Sequence, residues 1–214
     1  YSNDNVDNHS EIQITLVSTD GRRLAYVSKP LCQGVNSFSS AIVPPKILNI
    51  ILKRAPSEGF ISLAIVEKMI FVKFGSYQFT SVLIDGQFPN YRRVIPESQL
   101  YNFQVEKADL QNALKRVGLL VDKKIQRIYL EIKPGRLTIS SQETEIGIAK
   151  EEIPCRYDGE EITIAVSFIH IEEPLRVMNT ERLNFEFSGE MKAITLRSEP
   201  AEDYFHIIMP MQME

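Results

Sequence analysis

The side chains best suited to nucleophilic or metal chemistry are few: His9, His170 and His206, with Cys32 and Cys155. None of the histidines stands at metal-ligand spacing to another histidine or to either cysteine. No G-x-S-x-G elbow, P-loop or G-x-G-x-x-G cradle occurs. Glu151-Glu152 and Glu160-Glu161 are adjacent acidic pairs, but neighbouring strand residues point to opposite faces, so neither pair makes a carboxylate dyad. They read as solvated strand ends. No catalytic group, metal site or cofactor is expected from these residues.

The remaining chemistry suits holding a partner. Along Ser81–Pro96 an alternating strand ends at Ile84 and Asp85-Gly86 turns the chain. Pro89 and Pro96 then bracket Tyr91, Arg92, Arg93 and Val94. Prolines fix φ and push the preceding residue to extended geometry, so the loop is stiff. It offers apolar and guanidinium groups together. The plainer reading is an inter-domain linker whose tyrosine packs on the core. A second feature is a basic stripe. From Lys107 to Arg127, Lys107, Lys115, Arg116, Lys123, Lys124 and Arg127 stand against Asp109 and Asp122. That is either a phosphate-facing wall or an ordinary solvated helix face.

These groups need elements to position them. Tyr101–Glu106 alternates as a strand, and Lys107–Val121 reads as an amphipathic helix through Leu110, Ala113, Leu114, Val117, Leu120 and Val121. Strands follow near Arg127–Lys133, Arg136–Ser141 and Glu145–Ile153, the first two joined by a Pro134-Gly135 turn. The pattern restarts with a strand at Glu161–Ala165 and a helix over Ser167–Met178. Ser167 is its expected cap, and Pro174 is expected to kink or shorten it. Strands near Arg182–Phe187, Ala193–Arg197 and Tyr204–Met209 complete this copy. An earlier copy has a strand at Ser40–Val43, a helix at Pro45–Arg54 with proline at its opening, and strands at Phe60–Val66, Ile70–Gly75 and Gln78–Ile84. Strands near Glu11–Ser18 and Arg23–Ser28 look like the tail of one more copy whose opening strand and helix are absent.

A βαβββ unit recurring about every sixty residues implies an α+β fold of repeated units, sheets outside and helices side by side. Two units make a domain, which puts a boundary near residues 97–101 and domains at 1–98 and 99–214. The 214 residues suit two domains, and 43% apolar with 24% charged residues describes an ordinary globular chain. No apolar run reaches the roughly 18 residues of a membrane span. The start, Tyr1-Ser2-Asn3-Asp4-Asn5, lacks an initiator methionine and any signal peptide, so a fragment is expected. Two lone thiols suit a reducing cytoplasm. The net charge of −4 argues against a protein that coats nucleic acid with its whole surface. Residues 1–100 carry 10 basic and 8 acidic side chains, and residues 101–214 carry 14 and 20. A local basic stripe can still meet DNA.

Thr19-Asp20-Gly21-Arg22-Arg23-Leu24-Ala25, Ile84–Pro96 and Ile208-Met209-Pro210-Met211 together resemble the bacterial replicative sliding clamp, the beta subunit of DNA polymerase III. Their order and spacing match that family, and the repeat covers nearly the whole chain. The resemblance implies the DNA-clamp fold, and a non-catalytic processivity factor that encircles duplex DNA as a ring and slides without reading sequence. By that resemblance the chain looks like most of the middle domain and the complete last domain. Closure joins the first domain of one subunit to the last domain of another in a homodimer, so a chain without the first domain is not expected to close a ring.

The resemblance further implies DNA-facing cations at Lys46, Lys53, Arg54, Lys107, Lys115, Arg116, Lys123 and Lys124. It implies partners in DNA polymerase, the clamp loader and repair proteins. These bind through short motifs carrying a glutamine and terminal apolar or aromatic residues. The positions matching that peptide pocket are Thr19, Gly21, Arg22, Arg23, Leu24, Pro89, Arg93, Val94, Ser167, His170, Met191, Ala193, Ile207, Ile208, Met209, Pro210, Met211 and Gln212. Methionines give an adaptable floor, and arginines at the rim can hold polar or acidic groups. Read from residues alone, a methionine-rich end of this kind is more often an ordinary core strand. Two departures bear on peptide preference: relatives often carry asparagine and tyrosine where Ser167 and His170 stand, and a basic residue at Gln212. The third helix, with Glu172 and Glu173 against Arg176, makes a poor DNA wall, and the sequence offers no role for its acidity. The implied location is the bacterial cytoplasm, at the nucleoid. Two competing classes are a protein scaffold that never encircles DNA, which the basic stripe argues against, and a β-rich small-molecule enzyme, which lacks convergent titratable groups.

Overall fold

The structure is a computed structural model describing residues 13–31 and 40–213. His9, Cys32 and the expected strand start at Glu11 lie outside the described residues. Two compact units are formed, one by residues 33–91 and one by residues 1–32 together with 92–214. The expected division at 98/99 follows the repeats along the chain, whereas these units group strands by contact.

The smaller unit holds α1 (Pro45–Arg54) and the antiparallel meander β3 (Ser62–Val66), β4 (Met69–Phe74) and β5 (Tyr77–Val82). Proline opens α1 where a missing N–H costs no helical bond. Ile70, Val72 and Phe74 alternate inward on β4 and meet Ile47 of α1. The expected strand Ser40–Val43 joins no sheet among the described residues. Ile42 accepts the N–H of Ile84, at 2.9 Å.

The larger unit contains β1 (Gln13–Thr19), β2 (Arg23–Pro30), β6 (Tyr101–Glu106), α2 (Lys107–Val117), β7 (Arg127–Lys133), β8 (Arg136–Ser141), β9 (Lys150–Pro154), β10 (Ile162–Ser167), α3 (Phe168–Leu175), β11 (Arg182–Phe187), β12 (Ile194–Glu199) and β13 (Tyr204–Ile208). Its sheets are antiparallel, in the orders β1-β2-β13-β12-β11-β6 and β10-β7-β8-β9. Each βαβββ repeat lends its first strand to the other repeat: β6 pairs with β11, and β10 with β7. Two seams close the exchange. Arg156 pairs with Gln104 of β6 beyond β9, and Met211 pairs with Ala165 of β10 beyond β13.

One core joins both sheets to both helices. Leu110, Ala113, Leu114 and Val117 form the buried stripe of α2, and Ile171 and Leu175 that of α3. Ile128, Leu130 and Ile132 from β7 and Leu183, Phe185 and Phe187 from β11 belong to the same core. Phe103 and Phe185 stack with centroids 4.7 Å apart. Burying each large apolar side chain stabilises the fold by roughly 1.5–3 kcal/mol, before ordering costs.

Three elements are shorter than their sequence pattern. Helix α2 stops at Val117 rather than Val121, with Gly118 donating to the Leu114 carbonyl at 2.8 Å, although Val121 still packs on the core. Ser167 sits at the N-cap of α3 but makes no side-chain capping bond. Pro174 stays inside α3, and its carbonyl accepts Val177 at 3.1 Å and Met178 at 3.2 Å, so the chain turns before Met178. The strand expected from Glu145 begins at Lys150, because Thr144 and Gly147 exchange backbone bonds in a tight turn. Glu151 meets Arg116 of α2 while Glu152 meets Arg136 of β8, as opposite strand faces require.

Candidate functional site

The Thr19–Arg23 turn is held by its own side chains. Asp20 Oδ1 accepts the backbone N–H groups of Arg22 and Arg23, each at 3.0 Å, and Oδ2 accepts Nε of Arg23 at 3.0 Å. Thr19 donates its hydroxyl to the Arg23 carbonyl at 2.7 Å. Gly21 takes φ +85°, a region closed to most side chains, and donates to Thr19 Oγ1. Burial raises the Asp20 pKa, but the N–H of Arg22 and the contacts of Arg23 outweigh it and hold the carboxyl below its ordinary value.

The turn passes β13 on its way into β2. Leu24 pairs with Ile207 and Arg23 with Ile208, and Met209 donates to the Arg22 carbonyl at 2.9 Å. Two residues on, Met211 donates to the Ala165 carbonyl at 2.7 Å. Met209–Gln212 thus runs from the Arg22 turn to the edge of β10. The opposite wall comes from the loop before β7. Asp122 Oδ1 accepts the N–H groups of Lys124 and Ile125, each at 2.8 Å. Gln126 lies at φ +58°, and its carbonyl accepts the N–H of Phe168 at 2.6 Å, tying the loop to the start of α3.

These walls enclose a cleft of about 450 Å³ lined by Arg22, Lys124, Ile125, Gln126, Arg127, Ser167, Ile169, His170, Met209, Pro210, Met211 and Gln212. Its lining combines apolar side chains with cationic and amide groups. His170 is buried, and Nδ1 has no hydrogen-bond partner among the described residues. Burial, then the charge of Arg23, lowers its pKa.

A smaller cleft of about 300 Å³ lies where α3 meets β2 and β13, lined by Ser18, Thr19, Asp20, Arg23, Ala25, Glu173, Pro174, Val177, Tyr204 and His206. Arg23 bridges Asp20 and Glu173 there. Burial pushes the His206 pKa down to about 4, with Arg23 and His170 adding to it. The acidity of α3, opaque in the sequence, has partners: Glu173 holds Arg23, and Glu172 holds Arg176 at 2.7 Å.

Of the residues expected in the pocket, Arg22, Ser167, His170, Met209, Pro210, Met211 and Gln212 come together in the larger cleft. Thr19 and Arg23 line the smaller one. Leu24, Ile207 and Ile208 are buried within the sheet. Gly21 shapes the turn, and Arg93 and Val94 lie in a short 3₁₀ turn, Tyr91–Val94, lining neither cleft. Pro89 belongs to the smaller unit, where its carbonyl accepts the N–H of Tyr91. Met191 is exposed between β11 and β12, and the Ala193 carbonyl accepts the Gln99 amide at 2.9 Å. Ile125, Gln126, Arg127 and Ile169 line the cleft without having been expected there, and Lys124 does so instead of serving only as a stripe cation. The Asp122 turn, with its carboxylate two and three residues before its N–H donors, is the signal that could have found that wall.

Among the stripe cations, Lys115, Lys123 and Lys124 are exposed. Arg116 pairs with Glu151 at 2.7 Å, and Lys107 Nζ donates to the Met178 carbonyl. On α1, Lys46, Lys53 and Arg54 are exposed, Arg54 lying 5.9 Å from the Tyr77 ring centre.

Two family models match in tandem: the DNA polymerase III beta subunit central domain over residues 5–90 and its C-terminal domain over residues 92–212. A beta sliding clamp of Treponema pallidum is 50% identical over 205 residues, covering 94% of this chain and 55% of that protein. The Escherichia coli beta sliding clamp is 26% identical over 202 residues, again 94% and 55%. Among solved structures, the Pseudomonas aeruginosa DNA polymerase III beta subunit superposes with TM-score 0.88 at 28% identity, over 94% of this chain and 55% of that one. A P. aeruginosa clamp bound to griselimycin gives 0.87 at the same identity and coverage. The chain spans about half the length of these relatives.

Proposed function

The chain belongs to the family of DNA polymerase III beta subunits, the bacterial sliding clamps, and on that premise we propose that it forms the middle and last domains, residues 1–98 and 99–214, of a clamp that encircles duplex DNA and tethers clients through the larger cleft. The full-length subunit acts as a head-to-tail homodimer and has no catalytic step of its own. DNA polymerase, clamp loader and repair proteins dock by short linear motifs. The exposed lysines of α1 and of the stripe attract phosphates without reading bases, which suits sliding. The implied setting is the cytoplasm, at the nucleoid, and no described helix is long and apolar enough to cross a membrane.

The observation that carries the docking half is the convergence of Met209–Gln212, the Arg22 turn and the start of α3 on one cleft. A methionine floor adapts to varied apolar side chains, and burial at roughly 25 cal/mol per Å² brings a five- or six-residue peptide to micromolar affinity after ordering costs. The test is fluorescence anisotropy with a labelled glutamine-leucine-phenylalanine-type peptide and the full-length protein. Met211→Ala should weaken binding by about 1–3 kcal/mol, as for a hot spot. Unchanged affinity moves the docking site elsewhere.

A further inference from the structure

Three of the six methionines fall within the last six residues, as Met209, Met211 and Met213. Met209 and Met211 line the larger cleft, with Pro210 between them. Alternate residues of an extended segment share a face, so the two thioethers reach the cleft together. The segment is held by its backbone: Met209 donates to the Arg22 carbonyl at 2.9 Å and Met211 to the Ala165 carbonyl at 2.7 Å. The side chains carry none of that fastening, so their chemistry is free to change while the chain stays in place. Met209 is 39% exposed and Met211 half-buried, whereas Met178, in the core, is 2% exposed. Met69, Met191 and Met213 are exposed as well but line neither cleft.

We propose that Met209 and Met211 are a reversible oxidation site, and that peroxide switches the larger cleft off by converting them to sulfoxides. The inference rests on the peptide-docking reading and adds a regulatory state to it. A sulfur lone pair attacks one oxygen of hydrogen peroxide, the S–O bond forms and the O–O bond breaks. The departing hydroxide takes up the remaining peroxide proton and leaves as water. The sulfur is oxidised by two electrons and the peroxide is reduced. The product puts a polar side chain where a flexible apolar one stood. In the open cleft the sulfoxide oxygen has water, and Arg22, Lys124 and Gln212 in the same lining are further donors. An apolar peptide anchor strips that oxygen of its water and returns no hydrogen bond, which costs affinity. At Met69, Met191 and Met213, outside both clefts, the same oxygen stays hydrated and docking is not touched.

The experiment titrates a labelled glutamine-leucine-phenylalanine-type peptide against the full-length protein by anisotropy, before and after hydrogen peroxide. Peptide mapping by mass spectrometry assigns the added oxygens to each methionine. Affinity should fall about tenfold as Met209 and Met211 each gain one oxygen, with an unshifted denaturation midpoint. It should return on treatment with a thiol reductant and both methionine sulfoxide reductases, one for each epimer. In Met209→Leu/Met211→Leu, peroxide should leave the variant's own affinity unmoved. Met69→Leu/Met191→Leu/Met213→Leu should show the parent's full loss, and it decides the matter if the first variant binds too weakly to titrate. Unchanged binding with both cleft methionines oxidised overturns the proposal, as does mapping that finds them untouched while Met191 and Met213 are oxidised. So does a loss that the reductases do not reverse, or one that Met209→Leu/Met211→Leu shares. A reduced protein that binds no peptide is a separate failure: it is seen before any oxidant is added, and it removes the docking reading and the switch with it.

Discussion

Met211 donates its backbone N–H to the Ala165 carbonyl, and in doing so repeats what Arg156 does with Gln104 in the preceding βαβββ unit. Gln104 and Ala165 are each the fourth residue of their repeat's opening strand, and each receives the chain that has just left the repeat's last strand. At the first seam the chain runs on towards β10. At the second, the same geometry brings Met209–Gln212 against the cleft. The place of Met209–Gln212 in the lining of the candidate site is therefore an outcome of repeat geometry.

The Arg23–Glu173 bridge ties the start of β2 to α3 in the lining of the smaller cleft. Arg23 is mostly shielded and Glu173 about half exposed. A double-mutant cycle with Arg23→Ala and Glu173→Ala, followed by urea unfolding, should give a coupling of about 0.5–1 kcal/mol that weakens with salt. A coupling indistinguishable from zero would mean that Asp20 alone holds the turn.

Acid should destabilise the protein before its carboxylates titrate. His206 has its pKa lowered from 6.5 to about 4 by burial, so the unfolded chain takes up a proton as pH falls below 6.5 while the folded one does not. Stability contributed by this group is complete above pH 6.5 and is lost between there and about 4, by roughly 3 kcal/mol in all. His170, lowered in the same direction, adds to the loss. Asp20 and Glu131, whose pKa values are depressed, lose their contributions only below their ordinary values of 3.8 and 4.5. Denaturation midpoints of His206→Phe against the parent across pH 7 to 4 should show a flatter slope in the variant. Parallel slopes would count against the burial of this imidazole.

Leu24 is 2% exposed, paired with Ile207 inside the sheet. Leu24→Ala should therefore cost about 2–4 kcal/mol of stability by leaving a cavity. An effect confined to peptide affinity, with an unshifted denaturation midpoint, would instead place Leu24 in the ligand's path.

Lys115 and Arg116 are neighbours in sequence but not in electrostatic standing. Arg116 already meets Glu151, whereas Lys115 is exposed. On nicked circular DNA, Lys115→Gln in the full-length protein should lower the slope of log affinity against log salt by about 0.9, and Arg116→Gln by less. Slopes that do not move in either variant would favour a scaffold that never encircles DNA.

The repeats were legible because each depends on a local period: α2 on Leu110, Ala113, Leu114 and Val117, and β7 on strict alternation. Pairing was less so. The place of Ser40–Val43 ahead of a helix suggests the opening strand of a repeat, but a strand also needs a neighbour, which its own residues do not name. Pairing of β2 with β13 joins residues some 180 apart through backbone bonds that carry no side-chain signature. The methionine floor was visible as composition, whereas its wall from Lys124 to Arg127 was read as part of a charged stripe. Its orientation depends on Asp122 and on the left-handed Gln126, and charge counting registers neither.

The pairing of β2 with β13 also separates covalent order from mechanical order. Tyr204–Ile208 lies along Arg23–Val27 in a five-residue register, with β1 fastened to the far side of β2. A protease that cuts within residues 40–91 would sever the peptide chain yet leave the first strands zipped to the last one. The two pieces would separate on a denaturing gel and migrate as one body without denaturant. For such a sheet, the weak point in the chain is not the weak point in the structure.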